Sequence, residues 1–163
     1  YQSNNHLVFV FIVQRDHVTV TKWFYHPIYY YYARWTGKSW HSRFIAHAGR
    51  PLYAAERDYA GGICLDPESP NVLYLSSNPA APFHPTGPST TLLYPNDRYE
   101  LVRRVTPDGG HTFTWSPITT NSALDNLRPY VPRRGSALLW LRGNYRTYTS
   151  YDCAVMMLDN HAK

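Results

Sequence analysis

A chain of 163 residues with 44% hydrophobic and 16% aromatic side chains is too apolar for a disordered tail and long enough to bury a core as one domain. Its 13 prolines and 9 glycines interrupt the sequence too often for long helices, and 15 tyrosines and 5 tryptophans favour pleated, half-buried surfaces, so the composition predicts an all-β fold. The net charge of +5 would attract a polyanion, yet the basic residues are scattered, with Arg103-Arg104 and Arg133-Arg134 the only adjacent pairs, which excludes a nucleic-acid arm.

The first predicted strand runs from Leu7 to Val13, after the polar Asn5-His6. No apolar stretch reaches membrane-spanning length, and the opening residues lack a basic n-region and a small-residue cleavage site, so no membrane contact is expected and the compartment stays open. Strands over Ile28 to Arg34 and Trp40 to Ala46 follow, joined by Trp35-Thr36-Gly37-Lys38-Ser39-Trp40. The run Tyr29-Tyr30-Tyr31-Tyr32 invites a sugar-stacking reading, but neighbours on a strand face opposite ways, and sheet packing accounts for the rings better. His41 and His47 are expected to flank the third strand, with His26 and His84 in loops. No spacing among the eight histidines resembles a metal site, so neither metal nor cofactor is expected.

The next unit opens with a predicted inner strand, Asp58-Tyr59-Ala60-Gly61-Gly62-Ile63-Cys64, whose glycines permit close backbone approach. A turn over Asp66 to Asn71 leads to a strand from Val72 to Ser76, a Pro- and Ser-rich loop over 78–96, and a strand from Arg98 to Val105. Thr106-Pro107-Asp108-Gly109-Gly110-His111-Thr112-Phe113 then leads into a last strand ending near Pro117. This segment fits the pattern S/T-x-D-x-G-x-T-W/F at Thr106, Asp108, Gly110, Thr112 and Phe113, an Asp-box. There the carboxylate accepts backbone N–H bonds within the turn, the glycine adopts a conformation other residues resist, and the aromatic ring plugs between sheets. Its chemistry is structural, and His111, at a variable position, is expected on the surface. The Thr36–Ser39 turn is a degenerate version without the aspartate.

A third unit would run from an inner strand at Asn126 to Val131 through Ala137 to Arg142 and Tyr151 to Leu158, with a fourth strand missing. A polar residue followed by an apolar strand recurs at positions 5, 71 and 136, a repeat of about 65 residues that suits an array of similar β units. The expected architecture is a partial β-propeller of two to three four-stranded antiparallel blades within one domain, over about 5–47, 57–118 and, incomplete, 125–160. Three partial blades leave sheet edges open. Either the chain belongs to a longer polypeptide or copies of it assemble as a homo-oligomer. Cys64 and Cys153, far apart and on predicted strands, are expected to be buried free thiols.

The strings Arg57-Asp58-Tyr59-Ala60-Gly61-Gly62, Leu65-Asp66-Pro67, Pro70 to Ser76, the Asp-box, Asp125-Asn126-Leu127-Arg128-Pro129 and Leu139 to Tyr145 resemble the C-terminal part of the BNR-repeat (bacterial neuraminidase repeat) propellers. The resemblance runs from about Tyr32 to Leu158. It implies a seven-bladed fold of which this chain supplies less than half, a secreted or cell-surface setting, and an acidic polysaccharide or glycan as partner. Relatives in that group include polysaccharide lyases acting on glucuronate-containing polymers, and sialidases share the blades. The family's catalytic histidine has no assigned counterpart here.

Elimination from a uronate needs a base for the C5 proton, a cation or donor to neutralise the carboxylate, and an acid for the leaving oxygen. Inner strands of a propeller line its central funnel, so Arg128 is the candidate carboxylate clamp and Tyr59 or Tyr130 the candidate base or acid, with Arg57, Asp58 and Asn126 completing a polar mouth. Against these stand a structural hydrogen-bonding role for Arg128 and simple ring packing for Tyr59. The absence of GxSxG, P-loop and GxGxxG strings argues against serine hydrolase and nucleotide chemistry. The function that the resemblance implies is a carbohydrate-active propeller, a polysaccharide lyase or glycosidase-like protein acting on an acidic polysaccharide, and the competing function is a non-catalytic module that binds glycan or self-assembles through its open edges.

Overall fold

In a computed structural model, residues 2–3, 6–14, 28–52, 59–78, 98–135 and 137–159 are described. They form strands and turns only, with no helix among them. Sheet one comprises β1 (Gln2–Ser3), β2 (His6–Gln14), β3 (Ile28–Trp35) and β4 (Trp40–Gly49). Sheet two comprises β5 (Ile63–Leu65), β6 (Val72–Ser77), β7 (Glu100–Val105) and β8 (Thr114–Pro117). Sheet three comprises β9 (Asp125–Tyr130), β10 (Ala137–Thr147) and β11 (Ser150–Asp159). Within each sheet the strands pair antiparallel in chain order, so every connection joins neighbours.

Sheet two lies between the other two, and the alternation along β6 explains why. Leu73 and Leu75 pack with Val8, Tyr30, Tyr32 and Ile45 of sheet one. Val72 and Tyr74, pointing the opposite way, pack with Leu138 and Trp140 of sheet three. All six residues of β6 are therefore buried, and each leucine contributes about 2 kcal/mol of transfer free energy. Hydrogen bonds cross the same two junctions. The Tyr30 hydroxyl donates to the Ser76 carbonyl at 2.8 Å, and the Ser77 hydroxyl to the His47 carbonyl at 2.7 Å. On the other side the Ser76 hydroxyl donates to the Asn126 carbonyl at 2.5 Å.

The tyrosine run behaves as strand periodicity requires. Tyr30 and Tyr32 are buried between sheets one and two, while Tyr31 turns to the opposite face, where its ring stacks on Phe11 at 5.5 Å. Phe113 of the Asp-box is the inter-sheet plug: its ring meets Tyr32 edge-on at 5.8 Å and carries the Arg104 guanidinium 4.8 Å from its centre. Arg104 reaches on across the junction to donate to the Ile45 carbonyl of sheet one.

Several sequence expectations need correction. A short β1 precedes the strand at Leu7, so sheet one has four strands among the described residues. Among the described residues the predicted inner strand from Asp58 is reduced to Ile63–Leu65: the Gly62 carbonyl still accepts from the Ser76 N–H of β6 at 2.9 Å, but the Gly62 N–H is taken by the Tyr30 hydroxyl of sheet one at 2.9 Å. His41 and His47 lie within β4 instead of flanking it. Cys64 and Cys153 are free but half-buried, and burial pushes the Cys64 thiol up to about 12. Most of the Pro- and Ser-rich loop falls outside the described residues.

Candidate functional site

The start of β9 is fixed from three directions before it reaches its exposed end. Asp125 accepts the Tyr99 N–H at 3.0 Å and faces the guanidinium groups of Arg50 and Arg98, each at 3.7 Å. Asn126 is 1% exposed. Its amide nitrogen donates to the Ser122 hydroxyl at 2.9 Å and to the Glu100 carboxylate at 3.3 Å, and its amide oxygen accepts from the Trp140 indole at 3.0 Å. With its amide so engaged, Asn126 belongs to the interior and not to a polar mouth. Glu100, wholly buried, also accepts from the Thr119 hydroxyl at 2.5 Å and from the Ser122 N–H and hydroxyl at 2.7 and 2.8 Å.

Beyond this anchor the strand bulges. Leu127 pairs with Leu141 and Tyr130 with Leu139, so Trp140 alone faces two residues, Arg128 and Pro129. Arg128 takes φ = +53°, left-handed backbone that disfavours a side chain by about 1–2 kcal/mol. Its N–H donates to the Gly61 carbonyl at 2.5 Å, which holds it there. The exposed side chain then turns onto sheet three. The guanidinium lies 5.2 Å from the centre of the Tyr145 ring and donates to the Tyr145 hydroxyl at 3.3 Å, and Tyr145 stacks on Tyr151 at 5.8 Å with an 11° tilt. The result is a cation at the head of two stacked rings, with no carboxylate partner for Arg128 among the described residues.

The other sequence candidates are not gathered with it. Tyr59 is exposed, and its carbonyl accepts from the Leu52 N–H at 2.8 Å. Tyr130 is also exposed and sits opposite Leu139. The contacts of Arg128 run to Gly61 and Tyr145, not to either tyrosine. Arg57 and Asp58 lie outside the described residues. Sequence reasoning missed Tyr145 and Tyr151 as companions of Arg128, since only the bulge and the β10–β11 hairpin bring them together. No three metal-ligating side chains converge among the described residues.

The Asp-box forms as its chemistry demands. One Asp108 oxygen accepts the N–H groups of His111 and Thr112 at 2.9 and 2.8 Å and the Thr106 hydroxyl at 3.0 Å, and the other accepts the Thr112 hydroxyl at 2.6 Å. The Thr106 hydroxyl in turn accepts the Gly110 N–H at 2.6 Å. The Thr112 hydroxyl first, then the Thr112 amide, holds the Asp108 carboxyl well below the usual carboxylate range. A depressed folded-state value makes its contribution complete above the ordinary carboxylate pKa of about 3.9 and lost only as pH falls through the lower folded value. Amide exchange at Gly110 to Thr112, corrected for intrinsic rates, should therefore show constant protection from pH 7 down to the ordinary range. Asp108→Asn should reduce that protection at every pH, and equal protection in the variant would remove the carboxylate from its role.

No family model matches this sequence, and comparison with curated proteins and with solved structures gives no match.

Proposed function

We propose that this chain is a segment of an Asp-box β-propeller that binds an acidic polysaccharide at the mouth around Arg128. The propeller reading is supported by three successive antiparallel sheets, each packed face to face on the next, with a complete Asp-box closing the hairpin of the middle one. The binding reading rests on a single observation: a non-glycine residue kept in left-handed backbone delivers an uncompensated guanidinium to a stacked tyrosine pair at the surface. A uronate carboxylate fits that guanidinium as a bidentate acceptor, and the apolar face of a sugar ring fits the exposed ring of Tyr151. A secreted or cell-surface setting accompanies this reading.

Titrating glucuronan oligosaccharides by calorimetry tests it. Arg128→Ala should weaken binding about tenfold or more, as expected for a lost charge-assisted hydrogen bond, and Tyr145→Ala should weaken it as well. Unchanged affinity in both variants would end the proposal.

A second reading, uronate lyase chemistry, is favoured by the 3.3 Å contact between Arg128 and the Tyr145 hydroxyl. A base takes the C5 proton, the electron pair forms the C4–C5 double bond, and the C4–O bond breaks as its oxygen takes a proton from the Tyr145 hydroxyl, which Arg128 contacts. Ultraviolet absorbance of the unsaturated product reports it, and no signal from a folded sample that binds the oligosaccharide leaves binding alone.

The propeller reading also needs the outer edge of β11 covered, by further strands of a longer polypeptide or by a second copy. Val155 on that strand is 70% exposed and Met157 67%. For the chain of 163 residues alone, light scattering should give a mass above one copy, and a stable monomer would show that this edge needs no cover.

A further inference from the structure

Where the Asp-box turn of sheet two meets β3 and β4 of sheet one, a cleft of about 240 Å³ opens, separate from the Arg128 mouth. Every charged or ionisable base lining it is cationic or can become so: Arg34 from β3, His41 and Arg43 from β4, and His111 from the turn. No acidic side chain lines it among the described residues. Asp108 is close by in the turn, but both its oxygens are occupied by Thr106, His111 and Thr112. Neither Arg34 nor Arg43 has a carboxylate partner among the described residues.

A second observation points the same way. Tyr32, also lining the cleft, is 1% exposed, and its hydroxyl has no hydrogen-bond partner among the described residues. A buried hydroxyl left unmatched calls for a partner that the protein itself does not supply. The turn is also shaped to hold the cation. A Cβ at Gly109 would fall 1.6 Å from the Arg34 guanidinium, and one at Gly110 would fall 2.7 Å from the Tyr32 ring. Gly109 and Gly110 both take left-handed backbone, φ = +70° and +100°, so glycine at each serves the turn itself, and the missing side chain at 109 also leaves room for the Arg34 guanidinium.

We propose that this cleft binds a tetrahedral oxyanion, a sulfate or phosphate group. Two guanidinium groups, the Tyr32 hydroxyl and the imidazoles approach from two sheets and not from one plane, while the Thr36 hydroxyl at the rim is engaged with Ser39. Such a donor set suits three or four oxygens better than the two of a carboxylate. The proposal stands independently of sugar binding at Arg128.

Sodium sulfate titrated at constant ionic strength against sodium chloride, followed by amide NMR, is the test. Saturable shifts confined to Gly109 to Thr112 and to β3–β4 are expected. Arg43→Gln, an exposed position on a strand, should weaken binding about tenfold or more with the thermal midpoint unchanged. Tyr32→Phe should weaken it severalfold, removing only the hydroxyl. A sulfated oligosaccharide binding about tenfold tighter than free sulfate at the same amides would assign the group to an ester on a chain, and equal affinities would assign it to the free ion. Shifts that fail to saturate, that chloride reproduces, or that persist unchanged in both variants would overturn the site.

Discussion

Glu100→Leu should lower the thermal midpoint by about 10 °C or more, the largest single-residue loss of stability expected in the molecule. The carboxylate is wholly buried at the first position of β7, and no arginine or lysine reaches it among the described residues. It is held instead by neutral donors: the Thr119 hydroxyl, the Ser122 N–H and hydroxyl, and the Asn126 amide. Leucine matches the volume but accepts nothing, so these donors stay buried without their shared acceptor. One such orphan costs about 1–3 kcal/mol, and because neighbouring losses overlap the total should be about 3–5 kcal/mol. A chain of this size loses about 2–4 °C per kcal/mol, which gives the shift. Glu100→Gln keeps one acceptor oxygen and should lose about half as much. Calorimetry on both variants checks the order, and a leucine variant as stable as the parent would show that the network holds nothing together.

That network was not legible in the sequence, for a physical reason. Along Arg98 to Val105 charged and apolar residues alternate imperfectly, and a glutamate on such a strand reads as a solvated side chain; its acceptors' partners lie about twenty residues away in a connection with no periodicity of its own. The Asp-box could be read because its bonding is local. Thr106, Asp108, Gly110 and Thr112 meet within one turn, so spacing alone carries the geometry. The tyrosine run was legible for a similar reason, since a period of two decides which rings are buried.

The glycines before β5 were correctly expected to permit close approach, but the strand around them was overextended, because the partner that captures Gly62 is Tyr30, in another sheet. The Arg128 site was half legible. The Arg-Pro step marked the position, whereas its left-handed backbone depends on the Gly61 carbonyl and its ring partner on a hairpin further along the chain.

Gly61→Ala should damage stability and the Arg128 mouth together. An added Cβ would lie 2.3 Å from the Ser76 hydroxyl oxygen and 2.6 Å from the Tyr99 ring, distances no relaxed contact allows. Both neighbours are themselves tied down: Ser76 donates to the Asn126 carbonyl, and the Tyr99 hydroxyl donates to the Arg50 carbonyl. Overpacking of about 1–3 kcal/mol and a strained inter-sheet hydrogen bond of about 1 kcal/mol then add to about 3 kcal/mol, or roughly 10 °C. The backbone has to move, and with it the Gly61 carbonyl that keeps Arg128 left-handed. Oligosaccharide affinity should therefore fall in the folded variant, although Gly61 offers no side chain to a ligand. Ser76→Gly removes the nearest obstacle, so the double variant should be more stable than the sum of the two single losses predicts, by about 1 kcal/mol. Strict additivity would place the strain elsewhere. Full affinity in Gly61→Ala would mean that Arg128 is positioned by its own strand and not by the carbonyl facing it.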